Sequence, residues 1–444
     1  MHTPTRPQRF LDPFQPFSAA ASGTPWAPVT LAIACVALLA GCKAQSSPDY
    51  ARPLPSGARA LRKVPPDQWP SFALAHQDAD GTLDEALRRS LGWFAKASTA
   101  QFYPIEGITH EQARLSVLAL LDAVSQSRSS EQFESIVRSE FDLYTSVGWD
   151  GRGTVLFTGY YSPIFNASRT PTSEYRYPLY ARPNDLESDP ITGDVLGRRV
   201  GAVLIRYPAR AQIETSPQAL GLEGRELVYM RDRFESYVVQ VNGSARLQMT
   251  DGTTMHIGYA GSNGRDYTSI GQLLVRDGVI DKSELSLPAL RAYFRKHPER
   301  LDRYIQKNER YVFFQPFAGD QWPAGSLGFK VTPWRSLATD KSIFPRGGAV
   351  FVVTQVPTAT GAAGGTAVAT RPFAQLMVDQ DTGGAIRAAG RADMYMGIGP
   401  QAETVAGRQA AEGRLYYLFL KPQHLNAWRQ RDDTAPIPVA DAPT

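Results

Sequence analysis

Three aspartates lie close together near the end of the sequence, among glycines and aromatic residues. Asp379 and Asp381 precede Gly383-Gly384, and Asp393 is followed by Met394-Tyr395. Glycines let the backbone approach a bulky polar ligand, and the alternation of apolar and polar residues around Asp393 predicts a strand that presents one side chain to a cleft. A carboxyl group on a rigid strand can give and take a proton. The sequence therefore predicts an active site that works by proton transfer.

The elements that must position these carboxyl groups follow from the spacing of apolar residues. Capping boxes at Thr82/Glu85 and Thr109/Gln112 predict two helices, and apolar periodicity predicts further helices at 131–141, 268–275 and 287–297. Alternating segments with turn residues between them predict strands and hairpins at 155–161, 177–180, 236–241, 245–249, 255–259, 311–314, 349–353 and 415–420. The segment 358–370, rich in Ala, Gly and Thr, is predicted to be a flexible loop.

Three blocks of the sequence, taken in order, carry a family resemblance. The first is Phe157-Thr158-Gly159-Tyr160-Tyr161-Ser162-Pro163; the second runs from Gly325-Ser326-Leu327-Gly328 through Thr332-Pro333-Trp334-Arg335-Ser336 to Ile343-Phe344-Pro345-Arg346-Gly347; the third holds Asp381 and Asp393. Together they resemble the membrane-bound lytic murein transglycosylase A family, whose C-terminal segment is called the 3D domain. The match covers most of the chain after about Gly81.

The resemblance implies the architecture. It implies a mainly β protein with some helices, in which a double-psi β-barrel domain is built from N- and C-terminal parts, a second β-rich domain is inserted between them, and a large groove separates the two. The expected ranges are 1–41 for a lipoprotein signal peptide, 42–80 for a lipid-proximal tether, 81–165 for the first part of the barrel domain with N-terminal helices, 166–308 for the inserted domain, 309–431 for the second part of the barrel domain with the 3D segment, and 432–444 for a disordered tail.

The resemblance also implies a reaction. Relatives of this type are peptidoglycan lytic exotransglycosylases, lyases that cut the β-1,4 bond between N-acetylmuramic acid and N-acetylglucosamine without water and leave 1,6-anhydromuramoyl ends. One carboxyl group suffices, because the hydroxyl at C6 of the substrate is the nucleophile. The position of Asp393 in the third block makes it the expected acid and base. No metal or other cofactor is expected.

The neighbouring aspartates are assigned different roles. Asp381 is expected to support Asp393, either by binding the sugar or by raising the pKa of Asp393 through its own charge, although an aspartate beside two glycines could also simply cap a turn. Asp379 is expected to face solvent. The spacing from Asp381 to Asp393 is one residue longer than the resemblance implies, and Ala388-Ala389 is the expected site of the extra residue.

Several residues are expected to bind the glycan across the groove from Asp393. They are Thr158, Gly159, Tyr160 and Tyr161 of the first block, Gly383 and Gly384 of the loop, and Tyr395; Thr332, Arg335 and 345–348 could bound the groove or be solvated turn residues. Aromatic faces and hydroxyl groups suit sugars. Because adjacent side chains on a strand point to opposite faces, Tyr160 and Tyr161 cannot both stack on one sugar, and Tyr161 is expected to be the more exposed.

Two other functions stay open at this point. One is a true hydrolase that uses Asp381 and Asp393 as a pair. The other is a lipoprotein that binds peptidoglycan without cleaving it. Other classes are not supported, because the six histidines show no metal-ligand spacing, Gly397-Ile398-Gly399 lacks the third glycine of a dinucleotide site, and no Gly-x-Ser-x-Gly elbow is present.

Composition is compatible with this interpretation. With 444 residues, 43% of them hydrophobic, the chain can bury one large core or two moderate ones. Its formal charge of +4 is mild, and no run of Lys and Arg is interleaved with aromatic residues, so nucleic acid is not an expected partner. The expected partners are peptidoglycan glycan strands, the outer membrane through a lipid anchor, and cell-wall synthases or hydrolases.

The N-terminus predicts export and lipidation. Arg6 and Arg9 precede an apolar run at 29–40, which has the length of a signal-peptide core and ends in Leu39-Ala40-Gly41-Cys42. This ending resembles a bacterial lipobox, in which Cys42 would carry the lipid. Lys43 stands where an aspartate would retain the protein at the inner membrane, so an outer-membrane lipoprotein that faces the periplasm is expected. The other cysteine, Cys35, lies within the signal core, so no disulfide is expected in the exported protein.

Overall fold

The structure is a computed structural model that describes residues 48–189, 193–319, 322–325, 327–328, 330–358 and 369–434. The chain from Pro48 onward forms one compact unit. The predicted signal peptide and the lipidation site at Cys42 lie outside the described residues, as does most of the predicted loop at 358–370. The first three residues of the predicted tail belong to the final helix, and the rest of that tail lies outside the described residues.

Seventeen strands are found in the described part of the chain. They are β1 Leu61–Lys63, β2 Phe141–Ser146, β3 Val155–Ser162, β4 Ile164–Ser168, β5 Tyr177–Tyr180, β6 Leu186–Ser188, β7 Val195–Val200, β8 Val203–Ile205, β9 Glu226–Met230, β10 Ser244–Met249, β11 Thr254–Ser262, β12 Val312–Phe317, β13 Ser336–Ala338, β14 Ala349–Pro357, β15 Thr370–Asp381, β16 Arg391–Ile398 and β17 Ala410–Leu420.

Eleven α-helices accompany these strands within the same described ranges. They are α1 Ala73–Gln77, α2 Gly81–Phe94, α3 His110–Gln126, α4 Ser130–Glu140, α5 Arg210–Thr215, α6 Arg233–Asn242, α7 Ile270–Arg276, α8 Leu287–Lys296, α9 Pro298–Ile305, α10 Gly399–Ala406 and α11 Leu425–Thr434.

Six strands close into a barrel. The order β17-β14-β15-β13-β16-β3 returns to its start because β3 also pairs with β17. Closure leaves no free edge among these six strands. Helices α2 and α3 pack on the barrel, and their apolar faces join the strand interiors in one core that includes Leu83, Leu118, Phe157 and Phe351. One barrel strand, β3, precedes the other five by more than 170 residues of sequence, so the barrel is built from two distant parts of the chain.

A second β-rich region lies between those two parts in sequence. Strands β12-β11-β10-β4-β9-β5 form a six-stranded sheet, and β6-β7-β8 form a small three-stranded one. Helices α6 to α9 contribute to a separate core with the larger sheet, including Phe165, Tyr237, Leu247 and Ile257. The predicted fold class is therefore confirmed: the protein is mainly β with some helices, and an inserted β-rich region interrupts the barrel.

One predicted strand was wrong. Residues 236–241 belong to helix α6, which Asp232 caps by accepting a hydrogen bond from the backbone N–H of Glu235. The helix ends at Asn242 and is capped by Gly243, whose φ of 73° is in the left-handed region that favours glycine. The β-branched residues of this segment suggested a strand, but Phe234, Tyr237 and Val238 are buried at helical spacing. Tertiary burial outweighs the local strand preference here.

The N-terminal helices largely match their predictions. Thr109 caps α3 through Gln112, and α4 buries Phe133 and Val137. At α2 the predicted cap was wrong, because the side chain of Asp80, not that of Thr82, accepts the hydrogen bonds of the first turn. An aspartate two residues upstream caps as well as a threonine, and its charge also suits the helix N-terminus.

The predicted tether, residues 42–80, is longer than the structure supports. Within 42–80, strand β1 pairs with β2, and Ala60, Phe72 and Ala75 are fully buried. The ring of Phe72 packs 4.7 Å from that of Phe351 in the barrel. Sparse apolar residues among prolines gave no periodic signal, yet Ala60, Phe72 and Ala75 belong to the barrel core. None of the helices in the described ranges combines the length and the apolar character that a bilayer span requires.

Candidate active site

Four adjacent barrel strands place one residue each in a row that contains both predicted site aspartates. Thr158 on β3 pairs with Asp393 on β16, Asp393 pairs with Ala338 on β13, and Ala338 pairs with Asp381 on β15. Paired residues point to the same face of a sheet. The Cα atoms of Asp381 and Asp393 are thus two strand spacings apart, roughly 10 Å. Between them on β13 stands Ala338, whose side chain is a single methyl group.

A β-bulge turns Asp381 towards this face. Leu337 pairs with Asp379, but the next residue, Ala338, pairs with Asp381, so Gln380 is an extra residue on β15. In a regular strand, residues 379 and 381 would share one face. The bulge places Asp379 on the face of Leu337 and Asp381 on the face of Ala338 and Asp393.

Asp393 has the features of a proton donor. Its Oδ1 atom is buried and has no hydrogen-bond partner among the residues that the structure describes. Burial raises the pKa of this carboxyl group to about 7, and the charge of Asp381 adds to the rise. The guanidinium of Arg391 and a hydrogen bond from Thr158 oppose it. Near neutral pH the group is therefore close to half protonated, which suits a residue that must act first as acid and then as base.

Asp381 is held by its neighbours. The hydroxyl of Tyr160 donates to Oδ2 at 2.7 Å, and the backbone N–H of Thr382 donates to Oδ1 at 2.8 Å. Burial and the charge of Asp381 hold the pKa of Tyr160 well above its ordinary value, so its hydroxyl stays protonated and can donate. The ring of Tyr160 also packs 5.1 Å from that of Tyr395, whose hydroxyl donates to Ser162 at 3.1 Å. The carboxylate of Asp381 is thereby fixed in place.

Two residues of the first block lie on the opposite face of β3. Tyr161 was expected to be the more exposed tyrosine, but only 3% of it is exposed, and Tyr160 is the one that reaches the site. Gly159 also faces away: a Cβ there would lie 3.0 Å from the Cα of Ala406 in α10. This glycine allows the helix to pack closely against β3, which explains it without a ligand.

The loop between β15 and β16 carries Gly383 and Gly384. A Cβ on Gly384 would lie 2.6 Å from Nε of Arg310, so the glycine leaves room for that guanidinium. The extra residue was predicted at Ala388-Ala389. Ala388 has a φ of 66°, in the left-handed region that residues other than glycine rarely adopt. Its N–H donates to Oδ2 of Asp340 at 2.8 Å, which supports the turn.

Asp379 does not face solvent, contrary to the prediction. It is fully buried, and its carboxylate forms an ion pair with Lys341 and accepts hydrogen bonds from Thr339 at 2.7 Å and Tyr417 at 2.6 Å. Burial lowers the pKa of Lys341, and the carboxylate opposes that change. We call Asp379, Lys341, Thr339 and Tyr417 the buried acid cluster.

The second block supports the barrel more than the site. Thr332 and Arg335 are buried, and Arg335 reaches helix α2, where it contacts Thr82 and Asp80. The guanidinium of Arg346 lies 4.1 Å from the ring centre of Phe102. These contacts assign the three residues to the junction between the barrel and the N-terminal helices.

Two residues near Asp393 were missed in the sequence. Arg391 donates to Thr158 at 3.3 Å, and its Nε is a buried donor with no partner in the described ranges. Tyr267, from the inserted region, lies close enough to Asp393 and Arg391 for their charges to act on its hydroxyl. The period-two alternation with Asp393 could have identified Arg391. Tyr267 gave no signal, because its approach depends on the tertiary fold. Among the described residues, no group of three or more His, Cys, Asp or Glu side chains could hold a metal ion.

Comparisons with protein families match two segments of the chain. Residues 156–315 match the MltA specific insert domain, and residues 335–419 match the 3D domain. The first segment contains the inserted sheet, and the second contains the barrel strands that carry Asp381 and Asp393.

Curated relatives and solved structures agree with these matches. The chain is 31% identical over 276 residues to membrane-bound lytic murein transglycosylase A from Vibrio cholerae, covering 62% of this chain and 68% of that one. It is 30% identical over 306 residues to the Escherichia coli K12 protein of the same name, covering 68% and 74%. A membrane-bound lytic murein transglycosylase structure from Agrobacterium tumefaciens superposes with a TM-score of 0.65 at 26% identity, covering 83% of this chain and all of that one. E. coli MltA with bound chitohexaose superposes with a TM-score of 0.60 at 24% identity, covering 85% and 97%.

Proposed function

The chain belongs to the membrane-bound lytic murein transglycosylase A family, and we propose that it is a peptidoglycan lytic transglycosylase that uses Asp393 as its only acid and base. The family supplies the substrate class, glycan strands of alternating N-acetylglucosamine and N-acetylmuramic acid. The observation that carries the residue assignment is the buried, unpartnered Oδ1 of Asp393, on a carboxyl group whose pKa burial raises to about 7.

The proposed reaction has two proton transfers on one group. Protonated Asp393 gives its proton to the oxygen of the β-1,4 bond, and the bond from that oxygen to C1 of the muramoyl residue breaks. The resulting carboxylate takes the proton from the muramoyl C6 hydroxyl, whose oxygen then bonds to C1 and forms a 1,6-anhydro ring. Asp393 ends protonated again, and no water enters. Holding the C6 hydroxyl near C1 replaces an external nucleophile, because an intramolecular group has a high effective concentration.

The neighbouring residues would set the proton affinity of Asp393 and orient the sugar. Thr158 bonds its carboxyl group and receives a hydrogen bond from Arg391, so it links a cation to the acid. Asp381, fixed by Tyr160 and Thr382, adds a negative charge that favours the protonated form of Asp393. We assign both as positioning residues that act through the acid.

A hydrolase that uses Asp381 as a second carboxylate is the alternative with an observation in its favour. Two strand spacings between the aspartates leave room for a water molecule, as an inverting glycosidase requires. Against it, both oxygens of Asp381 already accept hydrogen bonds, which makes the group a weaker base. The single-acid scheme therefore has the stronger support.

Product analysis in heavy-oxygen water distinguishes the two schemes. The soluble protein beginning after Cys42 is incubated with purified sacculi in H₂¹⁸O, and the released muropeptides are analysed by mass spectrometry. Anhydromuramoyl ends without ¹⁸O are expected. Reducing muramic acid ends that carry ¹⁸O would support the hydrolase instead, and the absence of any cleavage would contradict both.

We also propose that the protein is an outer-membrane lipoprotein that faces the periplasm, attached through Cys42. Support comes from the lipobox-like sequence before Cys42 and from relatives that are named membrane-bound. In cells fed labelled palmitate, the wild-type protein is expected to carry label and to fractionate with the outer membrane. Cys42→Ser should lose the label, and label retained in this variant would contradict the assignment.

A further inference from the structure

Beside the loop that follows Asp381, two arginines have no ion-pair partner among the described residues. Arg310 lies just before β12, the last strand of the inserted sheet, and its guanidinium packs against Gly384, three residues after Asp381. Arg387 lies three residues further along the same loop and is exposed. Neither forms a salt bridge with any residue that the structure describes, whereas most other arginines of the inserted region are paired with Asp or Glu.

The charges around Arg310 explain why the lack of an ion-pair partner in the described ranges matters. Burial and the like charge of Arg387 lower the pKa of Arg310, so the two guanidinium groups lie near enough to repel each other. The hydroxyl of Tyr259 and the carboxylate of Asp266 oppose that effect, but Asp266 is exposed and forms no ion pair with either arginine. Because no carboxylate among the described residues pairs with either arginine, an anion bound between them would relieve their repulsion.

We propose that Arg310 and Arg387 form a carboxylate-binding subsite for the stem peptides of the glycan substrate. This inference rests on the proposed function and extends it. Each muramic acid of an intact strand carries a peptide with carboxylates on its C3 lactyl group, so a muramoyl residue with C1 at Asp393 projects an anion away from the cut bond. The subsite lies at the loop between β15 and β16, directly after Asp381. Guanidinium groups bind carboxylates with two parallel hydrogen bonds, which gives direction as well as affinity.

Gly384 is part of the proposed subsite. A Cβ at this position would meet the Nε, Cζ and Cδ atoms of Arg310 at 2.6 to 3.0 Å, so any side chain would push the guanidinium away. Its backbone does not require glycine, since its φ is not in the left-handed region. The close approach to Arg310 therefore explains the glycine, and Gly384→Ala should disturb the subsite without removing a charge.

The test compares two substrates made from the same sacculi. One consists of glycan strands with their peptides, and the other of strands stripped of peptides by an amidase. For the wild-type protein, kcat/KM should be higher on peptide-bearing strands. In Arg310→Gln the ratio of the two kcat/KM values should fall about tenfold, because a charge-assisted hydrogen bond is lost. Gly384→Ala and Arg387→Gln should lower the same ratio by about threefold.

Controls separate the possible outcomes. Arg276→Gln, on an exposed arginine at the end of α7, should leave the ratio unchanged. Peptide-bearing strands whose carboxylates have been converted to amides should behave as stripped strands do. A wild-type ratio near 1, or a ratio retained in both arginine variants, would overturn the subsite. If Arg310→Gln fails to fold by circular dichroism, the exposed Arg387 decides alone. Failure of the wild-type protein to cleave either substrate would instead refute the proposed function.

Discussion

Asp379 and Asp381 stand two residues apart on strand β15, yet they belong to regions of opposite character. Asp379 is the centre of the buried acid cluster, where Lys341, Thr339 and Tyr417 satisfy its carboxylate. Asp381 lies in the row with Ala338 and Asp393, where the Oδ1 atom of Asp393 has no hydrogen-bond partner in the described part of the chain. A single bulge residue, Gln380, separates the two regions.

The difference shows what makes a carboxyl group reactive in this fold. The carboxylate of Asp379 is surrounded by a cation and two hydroxyl donors, whereas the Oδ1 atom of Asp393 has no hydrogen-bond partner in the described part of the chain. Burial raises the pKa of the Asp393 carboxyl group. The first arrangement ties β15 to β17 through the hydroxyl of Tyr417. The second holds a proton near neutral pH and can transfer it. The hydrogen-bond and ion-pair partners of each aspartate, more than its position in the sequence, determine its role.

The largest expected effect is on catalysis at Asp393. Asp393→Asn keeps the shape of the side chain but cannot donate or accept the proton in the same way, so the rate of cleavage should fall about 10³-fold. The rate is measured as the release of soluble muropeptides from purified sacculi. Asp381→Asn is the matched control and should lose only about tenfold, because Asp381 acts through Asp393. Equal losses in the two variants would favour a catalytic pair over a single acid.

The buried acid cluster should show its effect on stability. Lys341→Met leaves the Asp379 carboxylate buried without its cation, which should lower the free energy of unfolding by about 3–5 kcal/mol. Urea unfolding followed by circular dichroism measures this change. The control is Arg169→Met, which breaks the exposed pair with Asp251 at 3.2 Å and should cost less than about 1 kcal/mol. Similar losses of unfolding free energy in the two variants would contradict the greater importance of the buried ion pair.

Asp393 itself should destabilise the folded protein at alkaline pH. Its folded-state pKa of about 7 lies above the unfolded value of about 3.9, so the folded protein binds an extra proton between those limits, and stability from this group falls as pH rises through that window. Asp393→Asn removes the effect. At pH 8 the variant should be more stable than the wild type by about 4 kcal/mol, and at pH 4 the two should be nearly equal. A variant less stable than the wild type at pH 8 would refute the unfavourable ionisation of Asp393.

The smallest expected effects concern the pH dependence of activity. Because the protonated acid begins the reaction, kcat/KM should decline as pH rises through about 7. Thr158→Val removes a hydrogen bond to the carboxylate and should move the decline to higher pH by about half a unit. Asp381→Asn removes a negative charge and should move it to lower pH by a similar amount. Shifts in the same direction in both variants would contradict the roles assigned to Thr158 and Asp381.

Much of this arrangement could be predicted from the sequence. The period-two alternation around Asp393 identified its strand, and the three blocks in order indicated a barrel built from two parts of the chain. Alternation also required Tyr160 and Tyr161 to lie on opposite faces, which the structure confirms. Alternation also places Tyr160 on the face of Thr158 and Tyr161 on the face of Phe157, so this signal could have identified Tyr160 as the tyrosine at the site.

The errors have a common physical cause. The bulge at Gln380 has no sequence signature, so Asp379 could not be separated from Asp381 by alternation, and its partner Lys341 lies 38 residues away. Helix α6 was mistaken for a strand because Val238, Val239 and Val241 prefer strands, and only its packing in the inserted core favours a helix. Tyr267 reaches Asp393 through contacts between the inserted region and the barrel. Each of these features depends on residues distant in sequence.

The most direct test is to titrate the carboxyl group of Asp393. The protein is labelled with ¹³C at the aspartate side-chain carboxyl, and the resonance that disappears in Asp393→Asn is followed by NMR from pH 3 to 9. We predict a midpoint near pH 7, in line with the burial of an unpartnered carboxyl oxygen. A midpoint near 4, the value of an ordinary aspartate, would contradict the assignment of Asp393 as the acid.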